Sequence, residues 1–252
     1  MPPSQVKSLL KALDILQFVS ESKASLSVSQ IASGLKMNRT TTHRLVGTLA
    51  AGGYLSRTEN KNTYQVGLKL LPIAARVLDG IKLRVEAMPH LQELSRTCGE
   101  RVNLGILYEG EVLYLGGVEK PTLPLVYSRF GKKAPAHCSS LGKVILAHMP
   151  EKEWDSFFKK NPLVKVTEKT ITSPLKFRKH LLEICEQGYA LDQEEHIPGS
   201  FCVAALIRGP GGQGLGAISI SSGNPNKMKD FLSDLLHAAE VISHRMGVSN
   251  HY

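Results

Sequence analysis

The sequence predicts an α+β chain: a small N-terminal winged helix-turn-helix domain, a linker helix, and a larger C-terminal domain built on an antiparallel sheet. Three observations carry this expectation. Two short helical segments with apolar stripes lie about three residues apart near the N-terminus, and a strand–turn–strand pattern follows them directly. Positive charge gathers in the same stretch. Residues 1–70 hold nine Lys plus Arg against three Asp plus Glu, so +6 of the formal +9 falls there and the other 182 residues carry +3. Beyond residue 89, helical and alternating segments mix, as they do where helices pack on an antiparallel sheet. The expected boundaries are 1–67, 68–88 and 89–252.

At 252 residues, 42% hydrophobic and 21% charged, the chain has room for two domains, each able to bury a core without covalent staples. Its four cysteines, Cys98, Cys138, Cys185 and Cys202, are irregularly spaced and form no C-x-x-C pair. That argues against a zinc ribbon or disulfide scaffold and for a reducing compartment. The N-terminus, Met1-Pro2-Pro3-Ser4-Gln5, has no apolar signal core, and no apolar run approaches the roughly 20 residues of a membrane helix. A cytoplasmic protein that needs no cofactor and no membrane is expected. A compact basic module on a nearly neutral body suits a polyanion partner, with plain solubility as the alternative reading.

Ser4–Ser20 reads as an amphipathic helix with Leu9, Leu10, Leu13, Leu16 and Phe18 at helical spacing. Ser27–Lys36 is a second, short helix, capped by Ser27 or Ser29, with Val28, Ile31, Ala32 and Leu35 as its buried stripe. Small Ala32 lets a partner helix pack close. Lys36 stands where such turns commonly hold Gly, and a left-handed Lys there costs about 1–2 kcal/mol. Asn38 caps a third helix over Arg39–Ala51, with Thr41, Leu45, Val46 and Leu49 inward, and Gly52-Gly53 stops it.

The start of this third helix, Arg39, Thr40, Thr41, Thr42, His43 and Arg44, supplies the candidate DNA contacts. Of these, Arg39, Thr40, Thr42, His43 and Arg44 are expected on the exposed side. Hydroxyls and guanidinium groups on the first turns of a helix suit phosphates and base edges in a major groove. Tyr54–Arg57 and Thr63–Val66 alternate around a polar turn and form a wing, from which Arg57, Asn60 and Lys61 reach backbone phosphate or a minor groove. A helix-turn-helix that is only a structural hairpin, and a wing whose Lys is simply solvated, are the competing readings.

Gly67–Met88 is rich in Leu, Ile, Ala and Val and reads as a linker helix, with Pro72 in its first turn or at a kink. An apolar linker outside both cores favours dimerisation, which suits paired DNA half-sites. Helices are expected at Pro89–Cys98, Ser139–Met149, Glu151–Lys160, Leu175–Gln187 and Asn226–Met246. Strands are expected around Val102–Ile106, Val112–Val118, Leu125–Arg129, Tyr189–Asp192, Cys202–Ile207 and Leu215–Ser221.

A ligand site follows from physics. Ser139 is a natural N-cap, which leaves the N–H groups of Ser140 and Leu141 pointing outward at the positive end of a helix, a place suited to a carboxylate. In Ala217-Ile218-Ser219-Ile220-Ser221 the serines share one sheet face and the isoleucines the other. The serine face must then meet water or a ligand, and capping alone remains the alternative for Ser139 and Ser140.

On these residues the chain resembles the IclR family of bacterial transcription regulators. The N-terminal likeness runs through Leu9–Leu16, Ile31-Ala32, Thr41–Leu45, Gly53-Tyr54-Leu55 and Tyr64–Gly67. The C-terminal likeness includes Pro135-Ala136-His137, Leu141-Gly142-Lys143, Gly188-Tyr189-Ala190, Asp192, Glu194-Glu195, Gly199, Cys202–Ala205 and Ala217–Ser221. The resemblance implies a GAF/PAS-like effector domain, dimers or tetramers on double-stranded operator DNA, and a small organic acid as effector. It implies an effector lying against Ser140, Leu141, Asp192, Cys202, Ser219 and Ser221. Tyr127-Ser128-Arg129-Phe130-Gly131 is similar to a segment of sugar-acid-responsive members. A repressor of a catabolic operon, acting on a sugar acid or an aromatic acid, is the function this implies.

Three other classes compete. An enzyme would have to use His137 and Cys138, or the cluster Asp192, Glu194, Glu195, His196 and Cys202, but adjacent loop residues rarely face each other as a catalytic pair. A metal site would draw on His137, Asp192, Glu195, His196 and Cys202, whose types suit zinc but whose spacing is not diagnostic. A constitutive DNA-binding regulator would leave the serine face without a purpose.

Overall fold

The computed structural model describes residues 5–59, 62–120 and 130–248. It divides into two compact units, residues 1–80 and 81–252.

The first unit opens with α1 (Lys7–Glu21), β1 (Leu26–Ser27), α2 (Val28–Gly34) and α3 (Arg39–Ala51). It continues with β2 (Leu55–Arg57), β3 (Thr63–Val66) and α4 (Leu70–Asp79). Its antiparallel sheet has the order β1-β3-β2, with Leu26 opposite Tyr64 and Arg57 also opposite Tyr64. Ile15, Val19, Ile31, Val46 and Leu55 form its core. The capping of α2 is reciprocal: Ser27 Oγ accepts from Gln30 N at 3.3 Å while Gln30 Oε1 accepts from Ser27 N at 2.8 Å. Lys36 does adopt a left-handed conformation, at φ 52°, so the turn between α2 and α3 carries the expected strain.

The stripe on α1 differs from the sequence expectation. Leu9, Leu10 and Leu13 are exposed, and the residues buried on this helix are Ile15 and Val19. Leucine spacing alone does not say which of two apolar stripes meets the core. The expected single linker helix is two helices, because α4 ends at Asp79 with Gly80 as its C-cap and a new helix begins at Lys82. Pro72 lies in the first turn of α4, where its missing N–H removes no helical hydrogen bond.

The second unit contains α5 (Lys82–Cys98), β4 (Arg101–Tyr108), β5 (Glu111–Val118), β6 (Lys133–Pro135) and α6 (Ser140–Ala147). Then come α7 (Glu151–Lys160), α8 (Pro174–Gln187), β7 (Tyr189–Gln193), β8 (Phe201–Arg208) and β9 (Gly214–Ser222). The unit closes with α9 (Lys227–Asp230) and α10 (Leu232–Arg245). Pro89, expected at a helix start, sits inside α5, so the carbonyl of Val85 loses its usual helical partner there. The expected final helix is split into α9 and α10. The expected strand Leu125–Arg129 falls outside the described residues. Short β6 was not foreseen: the segment ends in proline and lacks a readable alternation.

The six strands are antiparallel in the order β6-β5-β4-β9-β8-β7. Val102, Leu104, Val203, Ala205, Ile218 and Ile220 face α5 and α10, packing with Leu91, Leu235 and Ile242. The other face, with Tyr114, Ala190, Ala204 and Ala217, packs on α6, α7 and α8 through Leu141, Val144, Trp154, Phe177 and Leu181. The helices therefore cover both faces of an α+β domain, and its small sheet residues leave α6 room to approach closely.

Gly142 sets that approach. A Cβ at this position would overlap the Ala136 backbone, including its carbonyl oxygen. Gly142→Ala is expected to cost about 1–3 kcal/mol, because a methyl group in a filled site forces backbone movement. Urea unfolding of the two proteins side by side measures the loss, and an unchanged midpoint contradicts this packing.

Candidate functional site

The first unit presents the start of α3. Asn38 caps it, Oδ1 accepting from Thr40 N at 2.9 Å. Arg39, Thr40, His43 and Arg44 are exposed and Thr41 is half-buried. Thr42 departs from the expectation. It is fully buried, and its Oγ1 donates to the Asn38 carbonyl at 3.0 Å. A hydroxyl four residues after a carbonyl in the preceding turn satisfies itself locally, so Thr42 fastens the turn and offers nothing outward. The exposed group is thus two guanidinium groups, one imidazole and one hydroxyl on a single helical start.

In the hairpin, Arg57 is exposed and its guanidinium pairs with Asn62 Oδ1. Thr58 N donates to the Thr63 carbonyl at 2.9 Å, and the Thr58 and Thr63 hydroxyls are 2.6 Å apart. Asn60 and Lys61, the other two wing candidates, lie outside the described residues.

In the second unit the six residues Ser140, Leu141, Asp192, Cys202, Ser219 and Ser221, scattered over some 80 positions of sequence, line one small cavity. Ser139 Oγ caps α6 by accepting from Gly142 N at 3.2 Å. The first-turn N–H groups of Ser140 and Leu141 therefore have no helical carbonyl to meet. The Leu141 side chain packs in the core, so this residue bears on the cavity through its backbone. Opposite, Ser219 and Ser221 lie on the same face of β9. Strand pairing sets Asn103 and Ala204 beside Ser219, and Arg101 and Cys202 beside Ser221. Asn103 Nδ2 donates to Ser219 Oγ at 3.4 Å and Ser221 Oγ at 3.2 Å, and the Cys202 thiol lies 3.2 Å from Ser221 Oγ.

Asn103 was missed in the sequence, although the signal was there. Val102 and Leu104 were read as one face of a strand, which puts Asn103 on the other face, the face of the serines. Tyr114, Ser139, His196, Ile197 and Ser200 also line the cavity. The enclosed space is about 10 Å³, room for about one water.

Behind the cavity lies a buried ionic group. The Lys143 side chain is fully buried and its ammonium pairs with Glu195 Oε1 and lies 3.2 Å from His180 Nε2. Glu195 Oε2 has no hydrogen-bond partner. Asp192 Oδ1 accepts from Glu195 N at 2.8 Å and His196 N at 3.4 Å, folding the chain after β7 back over the cavity. Thr167 and Thr170 hold that loop, their hydroxyls donating to the Glu194 and Glu195 carbonyls at 2.8 Å. Burial pushes the Asp192 carboxyl up to about 6, against the pull of the backbone N–H of Glu195 and of the Lys143 charge. Burial likewise pushes the Cys138 thiol up to about 12, with the Asp192 and Glu195 charges adding to it. Such a thiol is no nucleophile at neutral pH, and neighbouring His137 is 2.8 Å from the Val164 carbonyl through Nε2. Among the described residues, no three His, Cys, Asp or Glu side chains converge as a metal site requires, and no helix is long and apolar enough to cross a membrane.

The raised Asp192 value has a testable sign. Between its usual 3.8 and about 6, the folded chain holds this proton more tightly than the unfolded one, so stability falls as pH rises through that window. Asp192→Asn keeps the acceptor for the loop amides and removes the buried charge. It is expected to stabilise the protein at pH 7.5 by on the order of 2–3 kcal/mol, with the gain vanishing towards pH 4. Thermal melts of both proteins across this range check it, and a gain that is constant with pH speaks against the assignment.

The model of the bacterial transcriptional regulator IclR C-terminal domain matches residues 75–244, and that of the IclR helix-turn-helix domain matches residues 8–59. The chain is 30% identical over 246 residues to the HTH-type transcriptional regulator XynR of Escherichia coli (strain K12), covering 96% of this chain and 98% of that one. It is 29% identical over 219 residues to the transcriptional repressor IclR of the same organism, covering 86% of this chain and 80% of that one. Among solved structures, an IclR homolog complexed with 4-hydroxybenzoate from Microbacterium hydrocarbonoxydans matches with a TM-score of 0.82 at 24% identity, covering 95% of this chain and 98% of that one. That likeness speaks to the fold. The relatives are transcriptional regulators, not enzymes.

Proposed function

The chain belongs to the IclR family of bacterial transcriptional regulators, and from that premise we propose that it represses a catabolic operon in the cytoplasm and releases it when a small organic acid enters the cavity beneath α6. As an IclR-type regulator it binds DNA through its helix-turn-helix and small molecules through its C-terminal domain. The observation that carries the finer reading is the union of two donor sets on one cavity. The open N–H groups at the start of α6 share this cavity with Ser219 and Ser221 on the sheet, whose hydroxyls Asn103 holds in place. Positioned donors in a buried site are what a carboxylate selects.

The cavity is too small for any acid as it stands, so entry must move α6 or the loop after β7. That movement is the differential work by which a ligand shifts a population. Arg39, Thr40, His43 and Arg44 would read the major groove, and Arg57, Asn60 and Lys61 would hold backbone. The name of the E. coli relative, a repressor, favours repression over activation. The name of the 4-hydroxybenzoate complex supports keeping aromatic acids beside the sugar acids as classes to try.

Paired half-sites need a dimer. Leu71, Ile73 and Val77 on α4, and Leu9, Leu10 and Leu13 on α1, are exposed, and we assign that apolar surface to a second copy of the chain.

Arg44→Ala is expected to weaken binding to the protein's own promoter fragment about 10- to 100-fold, the worth of one good groove contact, while acid binding persists. Ser219→Ala combined with Ser221→Ala is expected to keep the promoter complex but abolish its release by acid. Gel shifts with acid identified by mass spectrometry on the purified protein make the comparison. Equal damage to both activities in both variants, with folding intact, sinks the two-site reading. Leu71→Glu combined with Val77→Glu is expected to yield a monomer by light scattering, and an unaltered dimer refutes the assigned surface.

A further inference from the structure

The cavity of the effector site borders a larger, open outer chamber of about 390 Å³, and the two share Ser200 and Ser221 as lining residues. The chamber walls include Glu100, Arg101, Lys120 and Ser222. Its electrostatics differ from those of the inner cavity, which no Lys or Arg lines among the described residues. Glu100 is buried, and it accepts from Ser222 Oγ at 3.1 Å, Lys227 Nζ at 3.1 Å and Lys120 Nζ at 3.3 Å. Burial alone would push its carboxyl up, but the bonds from Lys227, Lys120 and Ser222 outweigh it and hold the value below the usual range. Glu100 is therefore an anion shared by two ammonium groups. Arg101 Nε is held by Glu119 at 2.6 Å, and no described residue engages the two terminal nitrogens of its guanidinium. Among the described residues, Arg101, Lys120 and Lys227 thus stand against two carboxylates, Glu100 and Glu119.

Arg101 belongs to the same lane as the inner site. It lies directly across from Ser221, as Asn103 lies across from Ser219, and side chains of paired positions share a sheet face. One step of two residues along a strand is about 7 Å. The lane therefore offers neutral donors at one end and a guanidinium edge at the other.

We propose that the effector carries a second anionic group, held in the outer chamber by Arg101 with Lys120, so that the natural ligand is a dicarboxylate of about five or six carbons rather than a simple monocarboxylate. This rests on the reading of the inner cavity as a carboxylate site. The inner end fixes one carboxylate by aligned dipoles, and the outer end adds a charge-assisted contact to an Arg fork.

Calorimetric titration of the full chain at low salt with adipate, glutarate and hexanoate tests it. Adipate and glutarate are expected to bind roughly tenfold or more tighter than hexanoate, the worth of one charge-assisted hydrogen bond. That ratio is expected to fall to about one in Arg101→Gln and partway in Lys120→Gln. If Arg101→Gln does not fold, Lys120→Gln carries the same comparison, since that side chain is 37% exposed. Diacids no tighter than hexanoate in the wild type, or a ratio untouched in the folded variants, overturns the outer subsite while leaving the inner one standing. Should none of the three acids bind, the inner carboxylate site itself fails and the outer one falls with it.

Discussion

The buried pairing of Lys143 with Glu195 is the constraint around which the second unit is arranged. A wholly buried ammonium is tolerable only with an opposed charge and full hydrogen bonding, and removing either partner strands the other in a low dielectric. Lys143 is on α6 and Glu195 follows β7, so this pair fixes the helix and the loop to each other from behind. The same loop carries Asp192, whose carboxylate folds the chain back through the amides of Glu195 and His196. Once both are fixed, the start of α6 has one place to be, over the polar lane of the sheet. The orphaned Glu195 Oε2 marks this as a site where packing has been chosen over complete satisfaction of polar atoms.

Such an arrangement suits a switch more than a rigid binding protein. The cavity closes to about the size of one water, so ligand entry competes with contacts already made. The linkage is reciprocal: whatever a ligand gains by opening the cavity is set against the closed form, and a partner that prefers the closed form must weaken that ligand by the same factor. The small residues of the sheet, Ala204 and Ala217, let the helix lie close to it.

Much of this was legible in the sequence, for identifiable reasons. The α2–α3 pair announced itself through Ser27 and Asn38, because capping chemistry is local and the same side chain both stops one conformation and starts another. The serine face of β9 could be read from alternation with Ile218 and Ile220, since a period of two leaves no choice about which residues share a side. Burial of Thr42 could not be read that way. Threonine is compatible with an exposed helix face, and only its bond back to Asn38 shows that it serves the turn. Leu9, Leu10 and Leu13 misled for the opposite reason: α1 has two apolar stripes, and the one that belongs to the core is decided by partners distant in sequence. The joint at Gly80 does carry a local sign, the pair Asp79-Gly80, but apolar residues at helical spacing on both sides outweigh it. The pairing of Lys143 with Glu195 spans 52 residues and leaves no periodic trace.

The polar lane occupies every second position of strands whose remaining positions, such as Val102, Ile218 and Ile220, belong to the opposite core. Polar residues such as Ser219 and Ser221 can therefore be exchanged along the lane without touching the core packed on α5 and α10. Recognition is written on positions that alternate with the core beneath α5 and α10, so a lineage can retune what this domain senses by single substitutions while that core stays untouched.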